Sequence, residues 1–149
     1  AKAETVDEKP SFRSAFKKRR CLVIADGFYE WKPQGRWKQP MWVGRRDKRP
    51  FAFAGLWEHW APPAGELLET CTIITTDAND LMVPIHNRMP VILAPTAYDQ
   101  WLDPAMQQAD SLKALLRPYP SDELIAYPVS TVVNNPLNDV PQCLEPVSG

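Results

Sequence analysis

Apolar and polar positions recur along this chain with two periods. Over residues 10–20, Phe12, Ala15 and Phe16 fall at i, i+3 and i+4, the spacing that lines one face of a helix. Pro10 and Ser11 supply its start signal. Its last turn, Lys17-Lys18-Arg19-Arg20, places cations where the helix carbonyls gather. Residues 21–31 read as a strand with Asp26-Gly27 as a bend or bulge. Further strands are expected at about 40–45, 51–60, 70–76, 88–93 and 123–131, and short helices at 96–102 and 110–117. In the 51–60 strand, Phe51, Phe53, Gly55, Trp57 and His59 share a face, because successive side chains alternate. Residues 132–149, rich in Pro and Asn, are expected to be irregular. Strands and helices do not alternate around a Gly-rich phosphate loop, which disfavours a nucleotide-binding α/β fold. The element order predicts a single α+β domain over residues 1–149, with an antiparallel barrel-like β core and short peripheral helices.

Composition adds three points. Hydrophobic residues make up 44% and charged residues 23% of the 149, the balance of a globular domain and not of a disordered tail. Sixteen prolines against six glycines are scattered along the chain, as at strand edges and turns. Charge is unevenly spread: residues 1–50 hold 14 Lys and Arg against 6 Asp and Glu, and residues 51–149 hold 3 against 12. That asymmetry fits a first third that meets a polyanion, and equally fits two halves that pair with each other. Cys21, Cys71 and Cys143 are far apart and lack metal spacing, so reduced thiols of a cytosolic protein are expected. No apolar run is long enough to span a membrane, and no signal peptide is visible. The chain opens without Met, within a strand or loop, and is expected to be a fragment or a processed product.

Candidate chemistry is sparse. No Ser/His/Asp nucleophile motif, HExxH, CxxC or carboxylate cluster occurs. His59 sits in the aromatic stretch Trp57-Glu58-His59-Trp60 and reads as structural. His86 lies between Pro84 and Pro90, with Arg88 two residues on. If the segment is extended, the two side chains share a face. A His for proton transfer beside an Arg for phosphate would suit a nucleic-acid backbone; the alternative is a polar turn with solvated side chains. Glu30 lies between Tyr29 and Trp31. Burial there would raise its pKa, as a general acid requires. By strand alternation it would instead face water while Tyr29 and Trp31 face the core. Basic residues interleaved with Trp and Tyr in the first third match the composition of a single-strand binder.

Blocks run in order from Ala1-Lys2-Ala3-Glu4-Thr5-Val6 through Asp26-Gly27-Phe28-Tyr29-Glu30-Trp31-Lys32 and Phe53-Ala54-Gly55-Leu56-Trp57. Thr72-Ile73-Ile74-Thr75-Thr76-Asp77-Ala78-Asn79 and Ile85-His86-Asn87-Arg88-Met89-Pro90-Val91-Ile92-Leu93 follow, then Val133-Asn134-Asn135. In this order they resemble the SOS-response-associated peptidase (SRAP) family. The resemblance implies a domain that binds single-stranded DNA and crosslinks itself to abasic sites. An N-terminal cysteine would form a Schiff base with the sugar aldehyde and close a thiazolidine, with an associated autoproteolytic peptidase activity. It implies that Glu30 is the acid that helps open the sugar, that His86 assists proton transfer, and that Arg88 and Lys2 hold phosphates. Lys2 stands where the family has an Arg and lacks that residue's bidentate fork. No metal or cofactor is implied, and the expected place is the bacterial cytoplasm, at the nucleoid. The family's cysteine and the Asn of its first motif belong upstream of Ala1, and Cys21, Cys71 and Cys143 match no nucleophile position. Residues 1–149 alone are therefore expected not to crosslink. The alternative is a non-catalytic single-stranded-DNA-binding module.

Overall fold

The computed structural model describes residues 1–148. In chain order the elements are α1 (Arg13–Lys18), β1 (Arg20–Ala25), β2 (Phe28–Gln34), β3 (Trp37–Arg45), β4 (Phe51–Trp60), β5 (Leu68–Ile73), β6 (Thr75–Asp77), β7 (Arg88–Pro90) and β8 (Ile92–Leu93). Then come α2 (Tyr98–Leu102), α3 (Ala109–Lys113) and β9 (Leu124–Pro128). The fold mixes antiparallel sheets with a few short helices, as expected. The expected barrel-like closure is not among the described residues, whose sheets are open. The chain divides into two compact units: residues 1–24, 51–77 and 90–119 form one, and residues 25–50, 78–89 and 120–149 the other.

In the first unit the sheet order is β1-β4-β5. β4 pairs antiparallel with β5 along Gly55–Trp60 and with β8 at Ala52 and Phe53. The first six residues of β4 are buried and the last four exposed. Ala54 and Leu56 face a core of Val6, Phe16, Ile74, Leu93, Trp101 and Leu112. The expected helix face forms: Ala15 and Phe16 are buried, and Phe12 packs against the same core. Burying a side chain such as Phe16 contributes about 1.5–3 kcal/mol. The strand expected over 70–76 breaks at Ile74, and the one over 88–93 breaks at Val91. At those breaks the backbone bonds elsewhere: Ile74 N–H donates to Ala54 O at 3.0 Å, and Val91 N–H to Ile74 O at 2.9 Å.

Arg20 ties this unit together. Its side chain is 9% exposed, and its N–H groups donate to five backbone carbonyls. Nε donates to Trp101 O at 2.6 Å, one terminal nitrogen to Phe16 O and Lys17 O at 2.7 and 2.9 Å, and the other to Asp103 O and Met106 O at 2.6 and 2.8 Å. A guanidinium has five N–H donors, so all are used. The carbonyls close the ends of α1 and α2, where no intrahelical donor is available. Arg19 pairs with Glu58 at 2.7 Å and Lys113 with Asp7 at 3.0 Å. The Arg19–Glu58 pair answers a small part of the charge asymmetry within the fold. Lys2, Arg13, Lys17 and Lys18 remain exposed.

In the second unit, β3 is central, with β2 and β9 antiparallel on either side. Asp26-Gly27 separates β1 from β2, so the bend read in the sequence is where the chain leaves one unit for the other. A side chain at Gly27 would collide with the Trp42 indole. Trp42 in turn stacks on Tyr127, ring centres 5.0 Å apart. The β2–β3 hairpin closes through Gly35 and Arg36 between the paired Gln34 and Trp37. Gly35 sits at φ +63°, a conformation that costs other residues more.

The tail after β9, expected to be irregular, forms two short 3-10 turns, Thr131–Asn134 and Pro141–Cys143, joined by irregular chain, and it is held. Trp31 Nε1 donates to Asn134 Oδ1 at 2.7 Å, and the hydroxyls of Tyr29 and Tyr127 donate to Cys143 O and Leu144 O at 3.0 and 2.8 Å. These aromatic side chains share one face of the sheet by alternation.

Candidate functional site

Alternation sends Glu30 to the other face of β2, with Phe28 and Lys32. Its cross-strand partner is Met41. The Glu30 side chain is half-buried, and desolvation raises its carboxyl above the ordinary value. The charge of His86 and the Trp31 N–H pull in the opposite direction without cancelling that rise. Glu30 therefore holds its proton more tightly than an exposed glutamate and lies within electrostatic reach of His86.

His86 reaches this place through a turn. Asn79 Oδ1 accepts the Met82 N–H at 3.0 Å, and Asn79 O accepts the Val83 N–H at 3.0 Å. Met82 O then accepts from Ile85 N–H and His86 N–H at 2.7 and 2.8 Å. Ile85 and Met82 anchor the turn by burial, leaving the His86 ring exposed. The segment from Leu81 to Ile85 is thus turn and not extended. His86 and Arg88 meet by another route: the Arg88 N–H donates to His86 Nδ1 at 3.0 Å. Nδ1 also lies 3.0 Å from the Arg88 carbonyl oxygen, so it accepts from the Arg88 N–H in one tautomer and donates to Arg88 O in the other. Arg88, partly buried, opens β7.

The second unit therefore brings together Glu30, His86 and Arg88: an acid with a raised pKa, an exposed imidazole held through Nδ1 and a permanent cation. Such a set can donate a proton, relay one and hold an anion. Lys2 belongs to the first unit. It is exposed, and its backbone is fixed beside Thr75: Ala3 N–H donates to Thr75 O at 2.9 Å, and Thr75 N–H to Ala1 O at 2.8 Å. His59, exposed, lies against Trp57 with ring centres 5.9 Å apart. Burial pushes the Cys21 thiol up, and nearby Cys71 adds to this; Cys143 is buried.

No group of three or more His, Cys, Asp or Glu side chains that could hold a metal occurs among the described residues. No described helix is long and apolar enough to cross a membrane. Two residues around this face escaped the sequence reading. Asn79, which shapes the His86 turn, looks like any loop Asn. Trp37, 50% exposed, lies on the Glu30 face; the one sequence clue is its place just after the Gly35 turn.

The profile described as "SOS response associated peptidase (SRAP)" matches residues 1–136. Abasic site processing protein YoqW of Bacillus subtilis (strain 168) is 49% identical over 146 residues, covering 97% of this chain and 65% of that protein. Abasic site processing protein HMCES of Xenopus tropicalis is 38% identical over 164 residues, covering 96% of this chain and 48% of that protein. The chain thus spans less than two thirds of these relatives' length. A crystal structure of a Bacteroides thetaiotaomicron protein matches with a TM-score of 0.91 at 35% identity, covering 99% of this chain and 65% of that one. The ordered motifs, the profile match and the curated relatives together show that this chain belongs to the SOS response associated peptidase (SRAP) family.

Proposed function

We propose that this chain is the part of an abasic-site processing protein that engages single-stranded DNA and supplies the acid and histidine for the reaction. The observation that carries this is Glu30, a carboxyl raised by burial within electrostatic reach of His86. In this role protonated Glu30 donates to the ring oxygen of the abasic deoxyribose as the bond from C1′ to that oxygen breaks, and the C1′ hydroxyl gives up its proton to water, leaving the aldehyde and a free 4′-hydroxyl. His86 moves a proton during formation and reversal of the adduct, through a ring whose Nδ1 lies against the Arg88 backbone. Arg88 and Lys2 take the flanking phosphates. The two units serve as one functional domain, since the family profile runs through segments of both.

The covalent step belongs to the complete protein. An N-terminal amine condenses with the aldehyde, releasing water, and the thiol of the same cysteine adds across the imine to close a thiazolidine. Processing that exposes this cysteine accounts for the peptidase activity in the family's name. Cys21, Cys71 and Cys143 have no part in it.

Fluorescence anisotropy on single-stranded oligonucleotides carrying one tetrahydrofuran residue, a stable abasic analogue, tests the binding. The chain is expected to bind, and Arg88→Ala to weaken binding and flatten the salt dependence by about 0.7 in log K against log salt, one phosphate's share on a single strand. Absence of binding, or an Arg88→Ala variant with unchanged affinity and slope, would overturn the proposal.

A further inference from the structure

Resting on that reading of Glu30 and single-stranded DNA, we propose that Trp37 is a stacking platform for a nucleobase adjoining the abasic nucleotide. An abasic nucleotide has no base, so it offers the protein no aromatic surface of its own. Stacking can come only from its neighbours, and the Glu30 face of the sheet carries a place for one.

Along β2, Glu30, Lys32 and Gln34 project to one side. Their cross-strand partners in β3 are Met41, Gln39 and Trp37 in turn. Lys32, Gln34, Trp37, Gln39, Met41 and Pro128 line a groove of about 410 Å³, within the range of small-ligand sites. A strand rises about 3.3 Å per residue. The Trp37 row therefore lies about 13 Å along the strand from the Glu30 row, a reach of a nucleotide or two of extended single strand.

Trp37 is half exposed, which leaves the indole accessible. It is also held in position. It pairs with Gln34 across a two-residue turn at Gly35, and Gln39 Nε2 donates to Pro40 O and Val129 O at 3.0 and 2.9 Å to fix the groove wall. Lys32 borders the groove, and Arg36, exposed, precedes Trp37 in the turn. An aromatic surface set among cations is the arrangement by which single strands are bound without base-edge readout.

The test pairs two single-stranded oligonucleotides, read by anisotropy. One carries a single tetrahydrofuran residue between ordinary nucleotides. The other carries tetrahydrofuran at the flanking positions as well. Base–aromatic stacking is worth about 1–3 kcal/mol, so Trp37→Ala is expected to weaken binding to the first roughly 5- to 140-fold. It should leave binding to the second unchanged, and Trp37→Phe should keep most of the affinity. Wild-type affinity of Trp37→Ala for the first oligonucleotide would overturn the subsite and leave the DNA-binding function standing. Equal losses on both would mean that Trp37 supports the sheet and not a base. Failure of the wild-type chain to bind either oligonucleotide would overturn the function and the subsite together.

Discussion

Arg20→Lys separates a cation from the geometry it provides. Arg20 satisfies five carbonyls from Phe16, Lys17, Trp101, Asp103 and Met106, and its carbon lies 5.5 Å from the centre of the Trp101 ring. Lysine keeps the charge but has three donors on one nitrogen. At least two carbonyls lose their partner. A hydrogen bond to a charged group contributes about 1.5–3 kcal/mol, and water can reach some of the partly exposed acceptors. The expected loss is therefore about 3 kcal/mol, a large share of the roughly 5–15 kcal/mol typical of a folded domain. Burial also lowers the Arg20 pKa, against the opposing pull of Asp103, and a lysine placed there would be easier to neutralise. Urea unfolding followed by tryptophan fluorescence would measure the effect as a lower midpoint at unchanged slope. Arg19→Lys is the control. Its ion pair with Glu58 is at the surface, so a loss below about 1 kcal/mol is expected. If Arg20→Lys costs less than about 0.5 kcal/mol, the five-carbonyl hub is not what holds α1 and α2.

Two further substitutions probe the sheet that carries Glu30. A Cβ on Gly44 would sit 2.7 Å from Trp42 Cζ3, so Gly44→Ala must displace the indole from its stack on Tyr127; a loss of about 1–3 kcal/mol and an altered near-ultraviolet dichroism are expected, and an unperturbed spectrum would refute the packing. Burial raises the Glu30 pKa, so the folded chain keeps that proton to higher pH than the unfolded chain, and stability from this group falls as pH rises from the ordinary carboxylate range through the folded value. Glu30→Gln removes the dependence, so its melting temperature relative to wild type should climb as pH rises above the ordinary carboxylate range; a difference that stays constant or shrinks would refute the assignment.

Much of this was legible in the chain because short-range pattern decided it. The i, i+3, i+4 spacing of Phe12, Ala15 and Phe16 gave α1 its buried face, and Asp26-Gly27 marked the bend between β1 and β2. Glu30 was recognisable as an acid among aromatic residues, but its burial depends on what covers that face, which alternation cannot say. The same holds for Arg20. In sequence it was one of four cations ending a helix; only the fold turns it inward to meet carbonyls more than eighty residues away. The breaks at Ile74 and Val91 were hidden because both residues suit a strand and both are buried. Long-range backbone bonds, not local propensity, interrupt the ladder there. Trp37 carried no periodic signal, since its role depends on the register of a two-strand pairing.

The most direct test is the rate at which the gene's complete product forms a denaturation-resistant adduct on a single-stranded abasic oligonucleotide, wild type beside Glu30→Gln. A positioned general acid contributes roughly 10²- to 10⁴-fold, so Glu30→Gln should slow adduct formation by about 10² or more while binding to the tetrahydrofuran oligonucleotide is preserved. Equal adduct rates for the two proteins, at equal binding, would contradict the assignment of Glu30 as the acid.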